Sequence, residues 1–350
     1  MKQFLRILQP SIVLAIFAAA IWLLYRELSD FQYEEFQEGL KDIDARDIAW
    51  ALGLTALNYV ILFGYDYLAI RYLKHPLPAW KLMLASFVGN VASLNFGSLL
   101  GGTSVRYRFY SLWKFSGLEI LQLVVILGLT FWLGVCLLAG VVFLAADFPI
   151  PAKLAERLPV ADVQIVGAVL IALVAGYLAV CALRRRPLRI FKAEVPLPPP
   201  WLSLSQIAVS CADLLVVAGV FYVLLPEAAN ATYFKALGVF LLGWVVAAFT
   251  HVPGGLGVFE LIMVVFLTED QVIAAALVFR AIYLLLPMTI AGCLLVAHEL
   301  LLGRQYVKKL AHLPGSHAEE EVKDRRPEGH EGPVGDADAE PAGEPGASTP

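Results

Sequence analysis

Charge is what this sequence has least of. Asp, Glu, Lys and Arg together make up 16% of its 350 residues, against about 25% in a soluble domain. That deficit excludes a charged soluble surface of the kind that binds nucleic acid, and no nucleic-acid partner is expected. Cysteine is equally thin. Cys136, Cys181, Cys211 and Cys293 stand singly inside apolar runs, with no CxxC or Cys/His spacing. They read as small buried hydrophobes rather than metal ligands or disulfide partners, so neither metal nor cofactor is expected. Also missing are a nucleophile–base set, an HExxH pair, a Walker loop and a Rossmann fingerprint in a βαβ setting. The chain is therefore expected not to be an enzyme. An intramembrane enzyme that assembles its site from scattered residues is the minor alternative.

What remains is apolar. Hydrophobic residues make up 59% of the chain and mean hydropathy is +0.72. The charge that exists is concentrated between long apolar runs, the pattern of a chain that crosses a bilayer several times. Runs of about 20 apolar residues lie at 8–25, 48–71, 118–146, 163–183, 204–225 and 272–298. Lys2 and Arg6 precede the first run like the start of a signal peptide. No small-residue cleavage site is convincing, so the run is expected to remain as a transmembrane helix. Two further apolar stretches, 80–102 and 234–266, contain glycine-rich breaks. These are Asn95-Phe96-Gly97-Ser98-Leu99-Leu100-Gly101-Gly102 and Thr250-His251-Val252-Pro253-Gly254-Gly255-Leu256-Gly257. From 313 onward the chain is rich in Glu, Pro, Gly and Ala and cannot bury enough apolar surface to fold. The expected division is a transmembrane domain over 1–312 and a disordered acidic, Pro/Gly-rich cytoplasmic tail over 313–350.

Loop charges orient the spans, because Lys and Arg collect on the cytoplasmic side. Basic clusters occur at Lys2/Arg6, Arg71/Lys74/Lys81, Arg106/Arg108/Lys114, the stretch 184–192 and Arg304/Lys308/Lys309. If the stretch 80–102 crossed fully, Arg106, Arg108 and the 184–192 cluster would fall outside. If it dips in and returns, the basic clusters stay inside. The same test has 234–266 enter and leave from the outer face. The expectation is an all-α polytopic membrane protein with about six full transmembrane helices plus two re-entrant broken hairpins, one from each face, and both termini cytoplasmic. Span 48–71, the first hairpin and span 118–146 form one triplet. Span 204–225, the second hairpin and span 272–298 form another of opposite orientation. An inverted repeat with matched breaks is a transporter pattern that places the substrate site near the midplane.

Several residues near the breaks could carry chemistry. Unpaired backbone groups in hydrocarbon cost several kcal/mol, so a broken helix must be covered by protein or line a wet cavity. The helix that starts after Pro253-Gly254-Gly255-Leu256-Gly257 would aim free N–H groups and its positive dipole end into the membrane, where they suit an anion. The bland alternative is a packing kink. Arg280 lies deep in the last span and Glu260 follows the second break, so an ion pair between them is expected. Asp213 sits in mid-span, and Asp66 lies nearer the cytoplasmic end of its span. Arg106 and Arg108 follow the first break, where a guanidinium fork suits a lipid phosphate; snorkelling at the interface is the alternative. His251 is either a proton relay or a donor to carbonyls freed by the break. Asn95, Gly101 and Gly102 complete the first break as candidate contacts.

Two of these segments resemble a known family. Gly101-Gly102-Thr103-Ser104-Val105-Arg106-Tyr107-Arg108-Phe109-Tyr110 and Pro253-Gly254-Gly255-Leu256-Gly257-Val258-Phe259-Glu260 are similar to signature segments of the lysylphosphatidylglycerol synthase transmembrane region. This is the membrane half of the multiple peptide resistance factor family, and the resemblance extends over about 5–310. In two-part members a soluble domain makes aminoacyl-phosphatidylglycerol and the membrane half is thought to flip it. The synthase domain is expected to be absent here, so the resemblance implies the lipid-handling module.

The resulting expectation is a bacterial inner-membrane flippase or transporter for an anionic or aminoacylated phospholipid. Arg106, Arg280 and the amides of Gly254, Gly255 and Gly257 would hold the phosphate. Glu260 and Asp213 would meet a cationic headgroup or a proton. The alternative is a non-transporting subunit that anchors or regulates a separate lipid-synthesising enzyme.

Overall fold

A computed structural model describes residues 43–145, 163–183, 188–190, 193–195, 198–226, 231–250, 255, 257–267 and 272–311. The expected first span at 8–25, the tail at 313–350, and His251, Pro253 and Gly254 lie outside the described residues.

The described chain is helical almost throughout. Its α-helices are α1 (Ala45–Leu73), α2 (Ala79–Phe96), α3 (Thr103–Leu112), α4 (Gly117–Ala145) and α5 (Val163–Leu183). They continue as α6 (Pro200–Val223), α7 (Tyr233–Thr250), α8 (Val258–Leu267), α9 (Val272–Phe279) and α10 (Leu286–Ala311). Two π-helical turns are inserted, Ser98–Gly102 between α2 and α3 and Arg280–Leu285 between α9 and α10. A short antiparallel pair, β1 (Leu188–Ile190) and β2 (Ala193–Val195), lies between α5 and α6. Helix boundaries have local causes. Pro78 and Pro199 immediately precede α2 and α6, with a second proline, Pro200, opening α6, where a missing amide costs nothing. Lys74 ends α1 in the left-handed conformation at φ 55°.

Six described helices are long and apolar enough to cross a membrane: α1, α4, α5, α6, α7 and the continuous run Val272–His298. The chain is thus an all-α polytopic membrane protein. Five of the six coincide with expected spans. The sixth is α7, expected as the first arm of the second broken hairpin. Its 18 residues extend about 27 Å, close to the roughly 30 Å hydrocarbon thickness, so its length alone reaches across. Helix α2 has the same length but carries Ser86, Asn90, Ser93 and Asn95 and does not qualify.

The two triplets match in length. In each, an 18-residue arm is followed by a break and a 10-residue arm: α2 and α3 in the first, α7 and α8 in the second. The arms of each hairpin pack against one another. The short arms extend about 15 Å, half a bilayer core. Each hairpin is flanked by long helices, α1 and α4 in the first triplet, α6 and Val272–His298 in the second.

Two main cores form, one centred on each triplet and each taking in residues from the other triplet's helices. In the second, Phe221, Phe240, Phe259 and Phe279 come from α6, α7, α8 and α9 and lie with all ring centroids within 6.3 Å of one another. In the first, Val88, Val91, Phe109, Tyr110 and Leu123 of α2, α3 and α4 are buried together. Lipid is as apolar as leucine, so association of spans rests on close packing rather than on exclusion of water. Small residues accordingly mark the seam between triplets. A Cβ on Gly64 of α1 would lie 3.1 Å from Val209 of α6, and one on Gly134 of α4 would collide with the Ser210 hydroxyl of α6.

Candidate functional site

Both breaks open onto one cavity of about 500 Å³. The first contributes Gly97, Ser98, Leu99 and Leu100, and the second contributes Gly255. Arg106, Arg280 and Asp213, three of the candidate residues, stand in its walls.

The first break is a turn that glycine makes possible. Gly97 ends α2 at φ 82°, a backbone conformation that a side chain disfavours. The amides of Gly101 and Gly102 then bond back to the Gly97 carbonyl at 3.0 and 3.3 Å, and the Thr103 hydroxyl donates to the Ser98 carbonyl at 2.8 Å. Gly101 and Gly102 are buried against α2, where a Cβ would strike the Ala92 carbonyl oxygen or the Ser93 hydroxyl. They close the hairpin and do not face the cavity.

Arg106, on the second turn of α3, is 4% exposed and every donor of its guanidinium is used within the protein. Nε donates to Asp66 Oδ1 (3.2 Å) and Nη2 to Asp66 Oδ2 (3.1 Å) and Asn90 Oδ1 (2.8 Å). Nη1 donates to the Gly89 carbonyl (3.3 Å) and the Ser93 hydroxyl (3.1 Å). Asp66 is fully buried and also accepts from the Tyr110 hydroxyl at 3.2 Å. Gly89 makes the room: a Cβ there would sit 3.1 Å from the guanidinium carbon.

The expected Glu260–Arg280 pair is present. The Arg280 Nε donates to Glu260 Oε1, and its Nη2 donates to Glu260 Oε2 at 2.8 Å and to the Gly255 carbonyl at 3.1 Å. Glu260 also accepts from the Gly257 amide at 2.9 Å. It lies three residues past that helix-capping glycine, so its carboxylate reaches back as in a capping box. The helix start expected to offer bare amides to a ligand thus has its Gly257 amide filled by the protein's own carboxylate. Gly255 and Gly257, at φ 62° and 74°, shape that turn.

Asp213, 5% exposed, is held differently. Its carboxylate accepts from Asn58 Nδ2 (2.8 Å) and the Tyr65 hydroxyl (2.7 Å). Tyr283 donates to Asn58 Oδ1 (2.7 Å), and Tyr59 donates to the Tyr283 carbonyl (3.2 Å). Among the described residues no cation pairs with Asp213. The site therefore combines two arginines, each on its own carboxylate, with one further carboxyl on neutral donors.

Asn95 lies beside the cavity, donating to the Val91 carbonyl at 2.9 Å and the Leu284 carbonyl of the second π-turn at 3.4 Å. Arg108 is half-buried on α3 and away from the cavity lining. Participants that were not among the expected site residues include Asn58, Tyr65, Asn90, Ser93 and Tyr283. Part of that set carried a signal, because Ser86, Asn90 and Ser93 recur at helical spacing on one face of an apolar helix. Among the described residues no group of three His, Cys, Asp or Glu could hold a metal.

No family model matches the chain. Among curated proteins, the uncharacterized protein slr0712 of Synechocystis sp. is 33% identical over 305 residues, covering 86% of this chain and 94% of the relative. The inner membrane protein YbhN of Escherichia coli is 29% identical over 292 residues, covering 82% and 91%. The phosphatidylglycerol lysyltransferase of Staphylococcus aureus is 24% identical over 297 residues, covering 81% of this chain and 33% of the relative.

Proposed function

The chain belongs to the family of slr0712 and YbhN, that of the lysylphosphatidylglycerol synthase transmembrane region, and from that premise we propose that it is an inner-membrane lipid flippase. Its cargo is an anionic or aminoacylated phospholipid. The supporting observation is the single cavity that both breaks reach and both arginines line. Glu260 sits where an anion sits at a helix start, held by the Gly257 amide and the Arg280 guanidinium. A headgroup phosphate has the same acceptor chemistry and takes the place of this carboxylate when the lipid enters. Asp213, on neutral donors, meets the ammonium of an aminoacyl headgroup or carries a proton.

Liposomes containing the purified chain provide the test. Transbilayer movement of a fluorescent phosphatidylglycerol should be accelerated by the wild type. Arg280→Ala and Glu260→Ala should lose that acceleration while eluting as folded protein. Unchanged movement in both variants refutes the site. No movement by the wild type, together with an envelope-lipid enzyme that loses activity in its absence, would make the chain a supporting subunit instead.

A further inference from the structure

The charged residues of the cavity are buried and its most exposed lining side chains are apolar. Arg106, Arg280 and Asp213 are buried, whereas Leu99, Leu100 and Phe249 in the same lining are 69%, 74% and 69% exposed. Trp132 of α4 and Phe249 at the end of α7 lie ring to ring at 5.6 Å on this apolar side. Gly128 lines it too, is exposed, and sits near the middle of the 29-residue α4. A helix of that length crosses the whole hydrocarbon core of about 30 Å, so its middle lies at acyl-chain depth. The apolar end of the cavity therefore opens sideways, into lipid. A Cβ built on Gly128 would meet nothing within 4 Å, so among the described residues the gap beside α4 is unobstructed.

Size decides what enters. A volume of about 500 Å³ suits a drug-sized group and cannot enclose a headgroup together with two long acyl chains. We propose that the opening beside Gly128 is an acyl portal: the headgroup occupies the buried polar end while its chains leave between the tip of the first break and α4 and stay in the bilayer. This rests on the lipid reading above and deepens it. The chains exchange one apolar neighbour for another, so no chain has to be pulled out of lipid. The recognised ligand is then an amphiphile with at least one chain, and a headgroup without chains is not sufficient. Gly128 acts as a specificity residue, because any large side chain there would stand in the path of the chain.

The test uses the full chain in nanodiscs containing phosphatidylglycerol with a diazirine in one acyl chain, and maps the photolabelled peptides. Labels should fall on 97–100 and 124–132. Gly128→Trp and, at an exposed position that packing does not constrain, Leu100→Gln should each lower that labelling by about tenfold with unchanged thermal unfolding. Labelling that both variants leave intact, or that falls only on the outer faces of other spans, overturns the portal. The same variants in the liposome assay separate the two proposals. Portal labelling without lipid movement retains the portal and refutes the flippase; lipid movement unaffected by Gly128→Trp does the reverse.

Discussion

In the first triplet the short arm α3 carries the cation, Arg106, and the long helix α1 carries the anion, Asp66. In the second the short arm α8 carries the anion, Glu260, and the long helix that follows carries the cation, Arg280. Both pairs stay within their own triplet. The first is the more enclosed: its side chains are 5% and 0% exposed, and Arg106 spends all its donors on α1 and α2. The second is 8% and 13% exposed and is tied to the glycine turn beside the cavity. The first pair has the character of a lock, and the second is the one the proposed lipid site would use. Between the triplets runs a seam without ion pairs among the described residues. It is held by the Asp213–Asn58–Tyr283 hydrogen bonds and by glycine contacts of α1 and α4 with α6. Each arginine is paired with a carboxylate inside its own half, whereas Asp213 is held by neutral donors from across the seam.

This contrast can be broken at four places, taken in order of expected effect. Asp66→Ala strands a buried guanidinium, and loss of one member of a buried pair costs about 3–5 kcal/mol. Thermal unfolding in detergent should shift sharply. A double change to Asp66→Leu with Arg106→Met should recover most of the loss if the pair is a lock. Arg280→Ala should cost less, about 1.5–3 kcal/mol for hydrogen bonds to a charged group, yet remove lipid movement. Equal stability losses at Asp66 and Arg280 would erase the distinction between the pairs. Gly134→Val overpacks the seam against Ser210 and should cost about 1–3 kcal/mol, seen as a lower unfolding midpoint with both ion pairs intact. Asp213→Asn keeps one acceptor and the shape of the side chain. It should cost only about 1 kcal/mol, and transport kinetics will show whether its charge is needed.

Much of this was legible in the chain. Five of the six expected spans were, because a helix that crosses hydrocarbon must be long and apolar and each such run is local in sequence. The Glu260–Arg280 pair was also legible, since two charges in apolar surroundings must find each other. The place of Arg106 was only half visible. Arg106 and Asp66 were each noted, but the three-residue cradle of Gly89, Asn90 and Ser93 sits on an intervening helix whose rotation no spacing reveals. That Gly101 and Gly102 pack against α2 is not legible in the sequence for a related reason. Glycine beside a break suits ligand contact and close helix packing alike, and only the neighbouring Ala92 and Ser93 decide between them. Helix α7 has the 18 apolar residues a crossing needs and also packs against α8 as the arm of a hairpin, and length alone does not choose between the two.

By itself the sequence determined that the chain is an all-α membrane protein, where its helices run, and that glycine breaks two of its segments. Those properties follow from composition and from turns a few residues long. The tertiary structure alone decided that the two breaks share one cavity and that each of its arginines is already partnered. These depend on residues as far apart as Asn58, Arg106, Asp213 and Arg280 meeting in space. The free energy that brings them together comes from side-chain packing between helices, which no local pattern encodes.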